Sequence, residues 1–284
     1  MFALLKQIMR TAFAVACLCG VASPIAAQSR MDIARAPLAS EIGTREVSFL
    51  ARDLETDTDY VLEGSDLSLR HPPWSTFKIP NLLIALETGA AASLETPYIW
   101  DRARRPARGF WPPAWRQDQT LGTAFQRSAV WVFRDIAGEV GTGRYRQRLG
   151  EWGYGNASVP DGSDDFWLGD TLQISVSEQV AFLERFFAGT LGLSVATSDA
   201  LISVSRAGTF GPATLHGKTG SGPVIRGDMS GPFEGWYTGF VLRPDAEPVV
   251  FSLYTRADSY AELESFRQDF AIHLLQTADL LPLN

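Results

Sequence analysis

Cysteine is confined to Cys17 and Cys19, and no other follows in the chain. If the first 27 residues are an export leader, the remaining chain holds no thiol. That excludes disulfides, thiol nucleophiles and zinc–thiolate sites. Histidine is almost as scarce. His71, His216 and His273 are the whole supply, and none shows the spacing of a His-Glu-x-x-His metal motif. Each is expected to be an ordinary surface or partly buried side chain, and no metal is expected. A Gly-x-Ser-x-Gly nucleophile elbow is missing. Gly211 and Gly217 precede Lys218-Thr219 but stand five residues apart, where a phosphate-binding loop needs four. There is no internal repeat, low-complexity tract or basic run. The formal charge of -7 becomes -9 once Lys6 and Arg10 leave with a leader that carries no acid. Such a balance disfavours nucleic acid and acidic membrane surfaces as partners.

The leader reading rests on Lys6 and Arg10 as a positive start, an apolar stretch over 11–21, and small residues over 23–27. Cleavage is expected near Ala27, with delivery to the periplasm. The apolar stretch falls short of the roughly 20 residues that span a bilayer, so no stable membrane anchor is expected. Ala14-Val15-Ala16 before Cys17 fits a lipidation site only in part, and Leu18 before Cys19 does not fit. Residues 28–284 suffice for one domain with its own core.

Along that domain the texture changes twice. The run 47–54 followed by 60–62 around Glu55-Thr56-Asp57-Thr58-Asp59 reads as a hairpin. Residues 79–86 read as a buried helix ended by Gly89, with Pro80 early, where its missing N–H costs least. From about 90 to 190 the pattern is helical, most clearly over 176–187. Residues 102–113, with Arg104, Arg105 and Arg108, read as an exposed loop with solvated arginines. Strands are expected over 214–218, 236–242 and 249–254, a loop over 223–235, and a last helix over 259–275. The predicted class is α+β: an antiparallel sheet from about 28–74 and 195–284, flanked by helices, with a helical subdomain over about 75–194.

The most informative motif is Ser75-Thr76-Phe77-Lys78. His71-Pro72-Pro73 is turn-forming, so Trp74-Ser75 is expected to open a helix. The spacing then puts hydroxyl and amine on one face, a turn apart. A serine hydroxyl is a poor nucleophile until a neighbouring base accepts its proton. Pairing of Ser75 with His71 in a Ser-His-Asp triad is the weaker alternative. Ser128-Ala129-Val130, Tyr154-Gly155-Asn156 and Lys218-Thr219-Gly220 follow in order, the set used by penicilloyl-serine enzymes.

Together these motifs resemble the class D (oxacillinase-type) serine β-lactamases. The likeness extends over 75–89, 119–133, 165–168 and 173–183. The fold it implies is that of serine β-lactamases and penicillin-binding transpeptidases. The activity it implies is hydrolysis of a small-molecule β-lactam through an acyl-serine. By this resemblance Ser75 is the nucleophile, and the N–H groups of Ser75 and Ser221 form the oxyanion hole. Ser128, with Lys218, passes a proton to the leaving nitrogen. Thr219, Gly220, Ser221 and Arg267 bind substrate, with Arg256 competing for its carboxylate. Lys78 is expected as N6-carboxylysine, the general base. Val130 stands where relatives outside the class carry asparagine and keeps the amine dry, and Trp167 supports the carbamate by a hydrogen bond. No cofactor beyond that carbon dioxide is implied, and the oligomeric state is not readable. Trp74 stands where the family usually has a small residue and is expected to narrow the mouth. Tyr154-Gly155-Asn156 is expected to shape the wall, and Trp131 and Trp152 to pack in the core. Arg226 is expected at the entrance. A β-lactam sensor domain, acylated without turnover, shares fold and motifs and is the alternative. A peptidoglycan transpeptidase is disfavoured by Val130 and by the expected lack of an anchor.

Overall fold

Residues 29–283 are described by the computed structural model. The leader reading for 1–27 lies outside the described residues. The chain forms β1 (Ser29–Ile33), α1 (Ala39–Ile42), β2 (Glu46–Asp53) and β3 (Thr58–Leu62). A 3-10 turn, Trp74–Phe77, runs into α2 (Lys78–Thr88). Then come β4 (Pro97–Tyr98), β5 (Gln119–Thr120), α3 (Leu121–Arg127), α4 (Val130–Val140), α5 (Thr142–Glu151) and α6 (Val176–Phe187). The remainder is α7 (Val195–Val204), β6 (Arg206–Phe210), β7 (Ala213–Pro223), β8 (Phe233–Arg243), β9 (Ala246–Ala257) and α8 (Phe266–Thr277).

Among the described residues, seven strands make one sheet in the order β1-β3-β2-β9-β8-β7-β6. It joins the start of the chain to its end through the β2–β9 pairing, Glu46 opposite Arg256 to Asp53 opposite Val249. Pairing is antiparallel from β3 to β6. The expectation of a wholly antiparallel sheet needs one correction, because β1 lies parallel to β3.

Alternation along the strands divides the apolar residues between two layers. Trp236, Phe240, Val250 and Tyr254 join the core shared with α2, α4 and α6. Tyr237, Val241, Phe251 and Leu253 face the other way, with Phe270 and Leu274 of α8. The central strands are therefore covered on both faces.

The expected hairpin is β2–β3. Over 79–86 the expected helix is α2, ended by Gly89 at φ 75°, a left-handed cap that costs glycine least. Every residue from Lys78 to Ala85 in it is buried. α6 spans the amphipathic run, opened by a Ser175–Glu178 capping box. Three expectations change. β7 and β8 pair as far as Pro223 opposite Phe233, so the loop shrinks to 224–232. The last helix begins at Phe266, because Leu263 is buried with Phe233 and Ala257 in a turn closed onto Tyr260 O. Arg105 is not solvated. It binds Asp135 at 2.9 Å and Asp164 at 2.7 Å. The stretch read as sheet also contains α7, capped by Ser194 on Thr197 N–H.

Candidate active site

The tight turn at Trp74–Phe77 and the buried first part of α2, Lys78 to Ala85, bring Ser75 and Lys78 together. Lys78 Nζ donates to Ser75 Oγ at 2.8 Å. Lys78 is 0 % exposed, and none of its ion-pair distances to an acid falls within bonding range among the described residues. Burial, reinforced by the charge of Lys218, holds its amine well below the ordinary lysine range. The ring of Phe133 lies 5.3 Å from Nζ. Val130 stands three residues earlier on α4, on the same helix face. This setting favours the neutral amine, the form that is a proton acceptor and a nucleophile toward carbon dioxide.

Ser128 ends α3 in the left-handed region, φ 61°. This is an uncommon conformation for a residue with a side chain, and one that recurs at functional positions. It reverses the chain between α3 and α4. Lys218 on β7 is 5 % exposed, lies 5.9 Å from the ring of Phe125 on α3, and donates to Thr219 O at 3.0 Å. Burial, and then the charge of Arg267, bring its amine down to about 7. β7 passes directly over the Ser75 turn. A Cβ on Gly220 would lie 3.1 Å from Ser75 N and 2.9 Å from Pro73 O, so only glycine fits there. A cavity of about 240 Å³ beside the strand is lined by Phe125, Gln126, Gly217, Lys218, Thr219 and Tyr237, among others.

Trp167 is 0 % exposed. Its ring stacks on Phe77 with centroids 5.1 Å apart. Its indole N–H is buried and has no hydrogen-bond partner among the described residues. An unpaired buried donor on a ring stacked against Phe77, the residue before Lys78, fits a carboxylate-bearing modification of that lysine, because such a group would supply an acceptor. The segment before it is tied down by charge. Arg134 and Arg105 hold Asp164 at 2.5 and 2.7 Å, and Arg226 in the 224–232 loop reaches Asp165 at 3.2 Å. Burial works against the charge on Asp164, yet hydrogen bonds from Arg134 and Arg105 keep its carboxyl below the usual range. The adjacent acids Asp164 and Asp165 are the one local sequence feature at this cluster, and nothing in them names the partners.

Arg267 is 7 % exposed. Its Nε and Nη1 are buried and without partners among the described residues. Its Cδ would lie 3.5 Å from a Cβ on Gly235, which pairs with Ser221. Arg256, by contrast, is exposed on β9. Gly155 is held at φ 55°, and a Cβ there would come within 2.1 Å of Gln173 O. Asn156 ties the same strip to Thr171 O and Gln173 N–H. Trp131 and Trp152 are buried, with indole donors on Trp115 O and Leu191 O. Trp74 does not narrow the mouth. It is 6 % exposed, its ring fills the space a side chain at Gly222 would need, and its Nε1 donates to Glu234 Oε1 at 2.8 Å. Glu234, a buried acid on β8, was missed by sequence reasoning, because nothing local distinguishes it from an exposed strand acid.

The chain is similar to known proteins in the same sense as its motifs. The penicillin binding protein transpeptidase domain family matches residues 53–193. Beta-lactamase OXA-11 of Pseudomonas aeruginosa is 36 % identical over 201 residues, 69 % of this chain and 71 % of that one. Probable beta-lactamase YbxI of Bacillus subtilis is 29 % identical over 220 residues, 78 % of each chain. The solved class D β-lactamase YbXI from Nostoc superposes with a TM-score of 0.77 at 27 % identity, covering 86 % of this chain and 97 % of its own. The C-terminal domain of the Bacillus licheniformis BlaR penicillin-receptor superposes at 0.79 with 24 % identity, over 90 % and 98 %, a likeness of fold.

Proposed function

The chain belongs to the class D serine β-lactamases, which hydrolyse β-lactams, and we propose that it does so through an acyl-serine on Ser75 with carboxylated Lys78 as general base. The observation that carries this reading is the buried amine of Lys78 at 2.8 Å from Ser75 Oγ, with no acid paired to it among the described residues; an unpartnered tryptophan donor on the ring stacked against Phe77 supports it. In that state Lys78 would carry a carboxylate able to accept a proton from Ser75 and later from water, with Trp167 N–H and the walls of Val130 and Phe133 holding it.

The chain's own groups do the rest. Ser75 Oγ attacks the β-lactam carbonyl carbon. The N–H groups of Ser75 and Ser221 receive the developing oxyanion, and one such donor is worth about 3 kcal/mol in transition-state stabilisation. Ser128, assisted by Lys218, delivers a proton to the ring nitrogen as its bond to carbon breaks. Thr219 and Arg267 hold the substrate carboxylate, which gives the two orphaned guanidinium nitrogens an acceptor. Water then cleaves the ester and frees Ser75. Delivery to the periplasm after cleavage near Ala27 is part of the same proposal.

The test is turnover of a chromogenic cephalosporin together with peptide mapping of the trapped intermediate. Many turnovers per enzyme and an acyl group on Ser75, both lost in Ser75→Ala, are expected. A single stoichiometric acylation without turnover would instead make the chain a sensor, and turnover by Ser75→Ala would remove Ser75 from the mechanism.

A further inference from the structure

The residue before the nucleophile stands at φ 49°. That is the left-handed region, which a bulky side chain rarely adopts and which must be held by its surroundings. The holding group is Glu234. Its Oε1 accepts from Trp74 Nε1 at 2.8 Å and its Oε2 from Tyr254 OH at 3.1 Å, while His71 Nδ1 lies 3.5 Å from Oε2. His71 in turn stacks on Tyr254 with ring centroids 3.7 Å apart. Glu234 itself is 6 % exposed, and it faces Gly222 on β7 and Arg256 on β9. The rest of the segment is pinned as well. His71 bridges Ile174, Trp236 Nε1 donates to Pro72 O at 2.9 Å, and Thr76 Oγ1 donates to Pro73 O at 2.6 Å while accepting from Gln179.

The placement has a mechanical consequence. The N–H of Ser75 belongs to the peptide unit shared with Trp74, so its direction follows the backbone angles of Trp74. Fixing the indole fixes that plane. Glu234 also sits one residue from Gly235, the partner of Ser221 across β7–β8, so one carboxylate is coupled to both backbone N–H groups assigned to the oxyanion. Preorganised donors act on the transition state more than on the bound substrate.

We infer that Glu234 is a positioning residue for acylation: through the indole of Trp74 it aims the Ser75 N–H, and with Tyr254 it completes a buried carboxylate clamp behind the nucleophile. The inference rests on Ser75 being the acylated residue.

The test compares full-length enzyme with Trp74→Phe, which keeps a ring over Gly222 but loses the donor, with Glu234→Gln, and with the double variant. Rates are referred to sites counted by acylated Ser75. Each single variant is expected to lower kcat/KM for a chromogenic cephalosporin by about tenfold, and to weaken phenylboronic acid, whose tetrahedral adduct reads the oxyanion site, by a like factor. The double variant should lose little more than either alone, as for partners in one interaction. A structural role alone would lower thermal stability and leave per-site rates and boronate affinity unchanged, which would overturn the inference, as would independent, multiplying losses. Should Trp74→Phe not fold, Tyr254→Phe carries the same comparison: a fall in both readouts supports the clamp, and unchanged values overturn it. If the acyl group maps to a residue other than Ser75, the functional reading falls and this inference with it. Acylated Ser75 with unaffected variants removes the inference alone.

Discussion

Phe77 stacks on Trp167 with ring centroids 5.1 Å apart and planes 24° from parallel, so one of the two residues between nucleophile and lysine carries the tryptophan of a distant loop. Stacking and hydrogen bonding by Trp167 can therefore be separated. Trp167→Phe keeps the ring contact and loses the donor. A hydrogen bond to a charged group is worth about 1.5–3 kcal/mol, so occupancy of the modified lysine should fall about tenfold or more at fixed carbon dioxide. The variant should still acylate but accumulate acyl-enzyme, visible by mass spectrometry, with added bicarbonate restoring part of the turnover. Trp167→Ala should in addition lose about 3–5 kcal/mol of stability to the cavity left behind. Unchanged deacylation in Trp167→Phe would assign Trp167 to packing alone.

Lys78 is pushed well below its usual range by burial and then by Lys218. The neutral form is therefore favoured, and acid converts the amine to the protonated form. Turnover should fall on acidification and recover with bicarbonate, and isotopically labelled bicarbonate should give a carbamate carbon signal that Lys78→Ala lacks. Indifference to bicarbonate after degassing at low pH, with no such signal, would mean that Lys78 acts as the free amine.

The buried amine of Lys218, brought down from 10.5 to about 7, also links stability to pH. Between these values the unfolded chain keeps the proton and the folded chain does not, so stability rises with pH across that window. The slope from one such group approaches about 1.4 kcal/mol per unit. Below the lower value both states are protonated and this dependence ends. Lys218→Met should flatten the rise in denaturant titrations between neutral and alkaline pH. Parallel curves for the two proteins would show that the folded lysine keeps its ordinary affinity for protons.

Arg267→Ala should raise KM more than it lowers kcat, the pattern of lost ground-state binding. Arg256→Ala, on an exposed strand position, should change neither much. Removal of Arg267 also relieves an unpaired buried guanidinium, so its thermal stability should hold or rise. Should the KM effect follow Arg256 instead, the substrate carboxylate belongs on β9.

The motifs were legible because each is local. Three-residue spacing is enough to put Ser75 and Lys78 side by side once the turn at Trp74–Phe77 forms, and their observed contact of 2.8 Å follows from helical geometry. The strand texture over 236–242 and 249–254 likewise announced β8 and β9, and Gly89 announced the end of α2. The family could be named from the sequence for the same reason: its signature is a set of short strings in a given order.

What only the tertiary structure decided is the environment of each charged or polar group. Glu234 and Glu247 belong to neighbouring strands, yet one is buried under Trp74 and Tyr254 while the other is exposed. Arg105 looked solvated within its own loop and is paired with acids 30 and 59 residues away. Trp74 looked placed to crowd the mouth, and the missing side chain of Gly222 draws it inward instead. Residue type and spacing determine which groups can be chemical. Desolvation and partner choice are set by segments far apart in the chain, because the free energy of a charge depends on everything packed around it. The sequence by itself therefore determined the family and the order of the motifs, and the packing of β7 and β8 over the Ser75 turn decided which groups lie dry, paired or unpartnered there.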